Sequence, residues 1–89
     1  MNYVARLSAA AAKKLAHLDR PTRDRILERL RQLEDDPYDS RFGKPLVNAA
    51  GRWSSRVGNT WRIIYRIDRQ ERIVRIEAIQ SRGEVYKRM

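Results

Sequence analysis

Hydrophobic and polar residues alternate most regularly between Arg52 and Arg66, in the stretch RWSSRVGNTWRIIYR. Side chains along a strand point to opposite faces with a period of two, so Trp53, Ser55 and Val57 share one face while Ser54 and Arg56 take the other. The alternation resumes after Gly58-Asn59. Trp61, Ile63, Tyr65 and Ile67 form an apolar stripe, and Arg62, Ile64 and Arg66 point away from it. Gly58-Asn59 is a pair suited to the positive φ of a tight turn, so the pattern predicts a hairpin. After a polar turn at 68–72, a third strand is expected over 73–79. Val74, Ile76 and Ala78 form its apolar row, with Arg75 and Glu77 on the other side. The expected sheet has one core face and one arginine-bearing face.

Ahead of the hairpin the period changes. Tyr3, Ala5 and Leu7 alternate with Val4 and Arg6, which predicts a short strand. Ser8 offers an N-cap to an alanine-rich helix over 9–18, whose stripe is Ala11, Leu15 and Leu18. Asp19-Arg20-Pro21 ends it and opens a second helix, because proline suits a first turn and cannot continue the preceding one. Ile26, Leu27, Leu30 and Leu33 recur on one face of this helix. Arg23, Arg25, Arg29 and Arg31 cover the rest, interleaved with Asp24 and Glu28, which favours a solvated, partly ion-paired face over a nucleic-acid stripe. Glu34-Asp35-Asp36-Pro37 terminates the helix. Residues 37–51 read as a long loop, within which Lys44 either reaches a phosphate or is simply solvated. The expectation is a single α+β domain over 1–89, ordered β-α-α-β-β-β. Its two amino-terminal helices pack on the Trp53/Trp61/Tyr65 face of a mainly antiparallel sheet.

Charge adds a direction to this picture. The 89 residues carry 20 Lys+Arg against 11 Asp+Glu, a formal net charge of +9. The excess concentrates in residues 52–89, which hold ten basic and four acidic groups against ten and seven in residues 1–51. Such a field favours polyanions or acidic protein partners, the alternative being a basic surface that serves only solubility. No run approaches the ~18 apolar residues of a membrane span, and the amino terminus has no export signal, so a soluble cytoplasmic protein without a membrane partner is expected.

The chemistry is narrowed by what is missing. With no cysteine and one histidine, His17, the sequence offers neither a metal site nor a Cys-His pair. The carboxylates have no acid–base spacing, and no glycine-rich phosphate loop or cofactor motif occurs. Arginines remain: Arg56, Arg62, Arg66 and Arg82 can surround a phosphate through bidentate hydrogen bonds and stabilise additional negative charge. Guanidinium groups near Tyr86 would favour its phenolate. RNA carries its own nucleophile, the 2′-hydroxyl, so cleaving it needs no protein nucleophile and no metal.

The element order, with the segments RVGNTWRIIYRID and SRGEVYKR, resembles the RelE/ParE superfamily of toxin–antitoxin toxins. For the RelE branch the resemblance implies an endoribonuclease that cuts mRNA in the ribosomal A site and is neutralised by a cognate antitoxin. Position by position it implies that Arg62 contacts the scissile phosphate and Arg56 stabilises the reaction or serves as base. Arg82 would supply a further arginine, and Tyr86 would stack on a base and assist proton transfer. Lys44, Arg52, Arg66, Lys87 and Arg88 would contact RNA. Ser54 stands where some relatives have a lysine, and arginine is a poor proton carrier near neutral pH, so the general base stays open. The ParE branch, on the same scaffold, inhibits DNA gyrase without catalysis.

Overall fold

The alternation of the hairpin is the frame of the molecule, which a computed structural model describes over residues 2–81. In chain order the elements are β1 (Val4–Leu7), α1 (Ala9–Ala16), α2 (Arg20–Asp35), β2 (Lys44–Pro45), β3 (Arg52–Val57), β4 (Trp61–Asp68) and β5 (Ile73–Ser81). They build an α+β fold around one five-stranded sheet ordered β1-β5-β4-β3-β2. Strands β2 to β5 pair antiparallel, and β1 adds in parallel beside β5.

The helices form where the sequence caps them. Ser8 accepts from the Ala11 amide at the start of α1, and Asp19 accepts from Thr22 at the start of α2, with Pro21 in its first turn. Ala11 on α1, and Ile26, Leu30 and Leu33 on α2, are buried against the sheet. Trp53, Trp61 and Ile67 pack on the same cluster, which contains Val57, Ile63, Tyr65, Val74, Ile76 and Ile79. The aromatic face of the hairpin is therefore the core face. Burial of that order, about 1.5–3 kcal/mol for each large side chain, fixes which way the sheet faces.

Three details depart from the sequence expectation. Lys44 and Pro45 form a two-residue strand inside the expected loop, pairing with Ser54 and Trp53. The hairpin loop has three residues, Gly58 to Thr60, because Val57 pairs with Trp61; only Gly58 takes a positive φ, of 62°. The third concerns β5, where Ile64 pairs with Ala78 and Tyr65 with Ile76, leaving Glu77 as an extra residue in a bulge. A bulge inverts the alternation beyond it. Ala78, expected in the core row, lies instead beside Ile64 on the far face, and Ile79 takes the core position.

The sheet edges are closed by side chains from α2. At β1 the Tyr3 amide donates to the Glu34 carbonyl and the Ala5 amide to its carboxylate, at 2.9 and 2.8 Å. At β3, beyond the reach of β2, Arg29 donates to the Arg56 carbonyl at 2.7 Å and the Ser55 hydroxyl at 2.8 Å, its guanidinium lying over the Phe42 ring. These contacts satisfy edge groups that would otherwise be open to another chain.

Tyr65 is fully buried beneath Gly43, and its hydroxyl has no hydrogen-bond partner among the described residues. Burial pushes the phenol up to about 12. Between its ordinary value of 10.0 and about 12 the folded chain holds a proton that the unfolded chain releases, so stability is lost as pH rises through that window. A Cβ at Gly43 would overlap the Tyr65 hydroxyl. Gly43→Ala should therefore cost about 1–3 kcal/mol by overpacking. Tyr65→Phe, which removes an unpaired buried hydroxyl, should be neutral or stabilising, relieve Gly43→Ala in the double variant, and reduce the alkaline loss. Urea melts of the four proteins check this; equal destabilisation by Gly43→Ala in both backgrounds would contradict it.

Candidate functional site

The face of the sheet opposite the helices is built in rows. Arg52 exchanges backbone hydrogen bonds with the loop side of β3, donating to Ala49 and accepting from Leu46. By the period of two, Ser54 and Arg56 also turn their backbone groups toward that edge. Arg56 and Arg62, which are register partners, are thus a non-hydrogen-bonded pair, the closer kind, with Cβ atoms about 4.5–5.5 Å apart. Gln80 completes the row on β5. Neither arginine has a carboxylate partner among the described residues.

The next row is nearly uncharged. Ser54, Ile64 and Ala78 lie side by side, with Lys44 exposed at the β2 end. Ser54 and Ile64 are buried, although Ile64 stands outside the contiguous core. Beyond it runs a second basic row across four strands: Arg52, Arg66, Arg75 and Arg6 are successive register partners.

This second row is partly compensated, by two carboxylates on three of its four arginines. Arg52 and Arg66 each donate through Nε to one oxygen of Glu77, at 2.8 and 2.7 Å, and Arg66 also donates to the Ala50 carbonyl. Arg75 pairs with Asp68 at 3.2 Å. The bulge is what aims Glu77 across the sheet, and its own carbonyl accepts from the Ser8 hydroxyl at the α1 N-cap. The hydrogen bond from Arg66, joined by that from Arg52, holds the Glu77 carboxyl below the usual carboxylate range. The Glu71 amide, and then Arg75, do the same for Asp68.

The structure brings Arg56 and Arg62 together, and it joins Arg52 to Arg66 about 13 Å further along the strands, four residues at about 3.3 Å each. Lys44 reaches the same face through β2. Arg82, Tyr86, Lys87 and Arg88 lie outside the described residues; Arg82 follows directly on Ser81, the last residue of β5, which pairs with Trp61. His17 is the C-cap of α1, its ring Nδ1 against the Lys13 carbonyl, far from this face in the order of elements. The sequence reading missed Arg29, whose signal was its place on the flank of the α2 stripe.

Because Glu77 and Asp68 ionise more readily in the folded chain, the unfolded chain binds more protons in the acid range, and stability rises with pH there. Their contribution is present above the ordinary values of 4.5 and 3.8 and is lost as pH falls through the depressed folded ones. Thermal melts should show a falling Tm on acidification below 4.5. Glu77→Gln should flatten part of that fall; an unchanged profile would mean the clamp contributes nothing.

Known proteins share this architecture. Residues 5–86 match the family described as the ParE toxin of type II toxin-antitoxin system, parDE. A chain of the toxin–antitoxin complex RelBE2 from Mycobacterium tuberculosis is 32% identical, with a TM-score of 0.80 over 92% of this chain and 100% of that one. The archaeal RelE–RelB complex from Pyrococcus horikoshii OT3 gives 24% identity and 0.78, covering 93% and 98%. The isolated E. coli RelE toxin gives 17% and 0.78, covering 97% and 93%. The latter two speak to the fold alone. Among curated proteins no sequence match is found. On the family match over nearly its whole length and the fold it shares with the RelE structures, the chain belongs to the ParE toxin family of type II toxin–antitoxin systems.

Proposed function

We propose that this toxin is a ribosome-dependent endoribonuclease that cuts mRNA in the A site. The observation that carries the reading is the Arg56–Arg62 pair, two arginines directly opposed in register on the face away from the helices, with no carboxylate partner among the described residues. Like charges directly opposite are unfavourable in a sheet, and a phosphate placed between them offsets that cost.

In the proposed reaction the RNA 2′-oxygen attacks the adjacent phosphorus and the bond to the 5′-oxygen of the next nucleotide breaks. A 2′,3′-cyclic phosphate forms, one proton leaving the 2′-hydroxyl and one reaching the departing 5′-oxygen. Arg62 positions the phosphate, and Arg56 and Arg82 stabilise the charge that develops on its oxygens. Tyr86 orients the base or moves a proton. Lys44, Lys87 and Arg88 contribute direct RNA contacts, Arg52 and Arg66 add positive charge to the face at longer range while Glu77 holds them, and the nucleophile is the RNA's own, without a cofactor. A cognate antitoxin covers this face, by analogy with the complex in which the M. tuberculosis relative is found. The second reading is a gyrase inhibitor, favoured by the ParE description of the matching family.

Arg62→Ala should lower the cleavage rate by about 10²-fold or more, as loss of one transition-state donor does. Ribosome affinity should fall much less, because many basic groups share the phosphate contacts. Primer extension on translated mRNA, run beside a gyrase supercoiling assay, decides between the readings: intact mRNA with inhibited gyrase would replace the ribonuclease by the gyrase binder. Antitoxin association, steered by opposite charges, should slow as salt rises from about 50 to about 500 mM, and a salt-independent stopped-flow rate would remove the electrostatic basis of that partnership.

A further inference from the structure

The two basic rows are alike in residue type and unlike in state. Arg56 is exposed and Arg62 half-buried, neither with an acidic partner among the described residues, whereas Arg52 and Arg66 are bound by one carboxylate that the chain itself supplies. Glu77 reaches them because it is the extra residue of a bulge, and bulges re-aim side chains. The geometry imitates phosphate recognition: two guanidinium groups on adjacent strands, each donating Nε–H to a separate oxygen of one anion, at 2.8 and 2.7 Å. The site is accessible, with side-chain exposures of 47% for Arg52, 42% for Arg66 and 32% for Glu77. Its frame is fixed on both sides, by the Ser8 hydroxyl on the Glu77 carbonyl and by Arg66 on the Ala50 carbonyl.

We infer that Glu77 is a specificity-determining residue, an internal anion that fills the Arg52–Arg66 site and so confines tight phosphate recognition to the Arg56–Arg62 row. This rests on the ribonuclease reading, since it concerns how RNA registers on the same face. A single strand laid along β4 would meet two arginine pairs about 13 Å apart, four residues of strand. Were both open, the strand would bind equally well shifted by that distance, with the wrong phosphate at Arg62. With Glu77 in place the second pair offers a phosphate half the net charge of an open pair, and the phosphate must displace a carboxylate already hydrogen-bonded to both groups. The bulge thus sets the register of the substrate at the cost of total affinity.

The test measures binding of a short fluorescent 2′-O-methyl oligoribonucleotide, which lacks the attacking hydroxyl, by anisotropy across a salt series. Glu77→Gln should tighten binding several-fold or more at low salt and steepen the log–log salt slope by about 0.7 to 1.4, one or two additional phosphate contacts. Adding Arg52→Gln to that variant should remove the gain, and should cost more there than in the wild type. Glu71→Gln, the same charge change in the exposed turn between β4 and β5, should leave the slope near wild type. On translated mRNA, Glu77→Gln should spread cleavage over neighbouring positions. Where the amide variant does not fold by circular dichroism, Glu77→Asp, too short to span both arginines, should give an intermediate slope. A slope unchanged by either Glu77 substitution, a gain that survives Arg52→Gln, or an equal gain from Glu71→Gln would overturn the inference. Arg62→Gln separates it from the reading it rests on: if that variant binds the oligonucleotide as the wild type does, RNA recognition on this face fails first.

Discussion

Everything on this protein's basic face depends on the register of β3 against β4. A slip of β3 by one residue would move Trp53 and Val57 to the outside and drive Arg56 beneath the helices, and a slip of β4 would do the same with Trp61, Ile63, Tyr65 and Arg62. The apolar groups decide the matter. Fully burying side chains such as Ile63 and Tyr65 is worth about 1.5–3 kcal/mol each, whereas opposing two arginines across a strand pair costs roughly 0.2–1 kcal/mol. The core therefore overrules the repulsion, and an unfavourable charge pair is held in place by groups on the other side of the same strands. The site is a by-product of burial that the sequence has turned to use.

α2 connects the two sides. Its apolar stripe, through Ile26, Leu30 and Leu33, covers the sheet. Two polar residues on its flanks then act at opposite edges, Glu34 closing β1 and Arg29 closing β3. Arg29 does more than close an edge, because the carbonyl it holds belongs to Arg56. Its Nε bonds Gln32 on the same helix and its plane rests on Phe42, so the guanidinium is fixed before it reaches β3. The residue that opposes Arg62 is consequently anchored to the core through its own backbone.

The parts of the fold that were legible in the sequence are those governed by repeated local signals. Alternation revealed the faces of β3 and β4, capping residues revealed both helices, and the glycine at position 58 revealed the turn. What escaped notice depends on distant partners. Lys44 and Pro45 are too short a strand to carry a pattern, and they pair only because Ser54 and Trp53 are already placed. The bulge at Glu77 has no local signature; Ala78 looked like a core residue because the count of two ran straight through it. Arg29 read as a solvated helix charge and Glu34 as part of the helix terminator, since nothing in α2 states which strand edge lies beside them. The arginines of the site were visible as residues, and Glu77 as an acidic group on their face. Only the register could tell which pair it neutralises.

The distinction between an enzyme and a binder on this scaffold turns on rigidity as much as on charge. A protein that only docks on an acidic surface gains from total charge, and long, mobile arginine side chains serve it well. A phosphoryl-transfer catalyst gains from donors already aimed at the position where charge will develop, because reorganising them during the reaction would consume the stabilisation they provide. Arg56 and Arg62 stand on the two strands of a hairpin whose opposite face carries Tyr65 and Trp53, stacked with ring centroids 6.2 Å apart. Arg52 and Arg66, equally rigid in backbone, are turned inward upon a carboxylate. Fixing one pair open and the other closed is an arrangement that a surface selected for charge alone would not require.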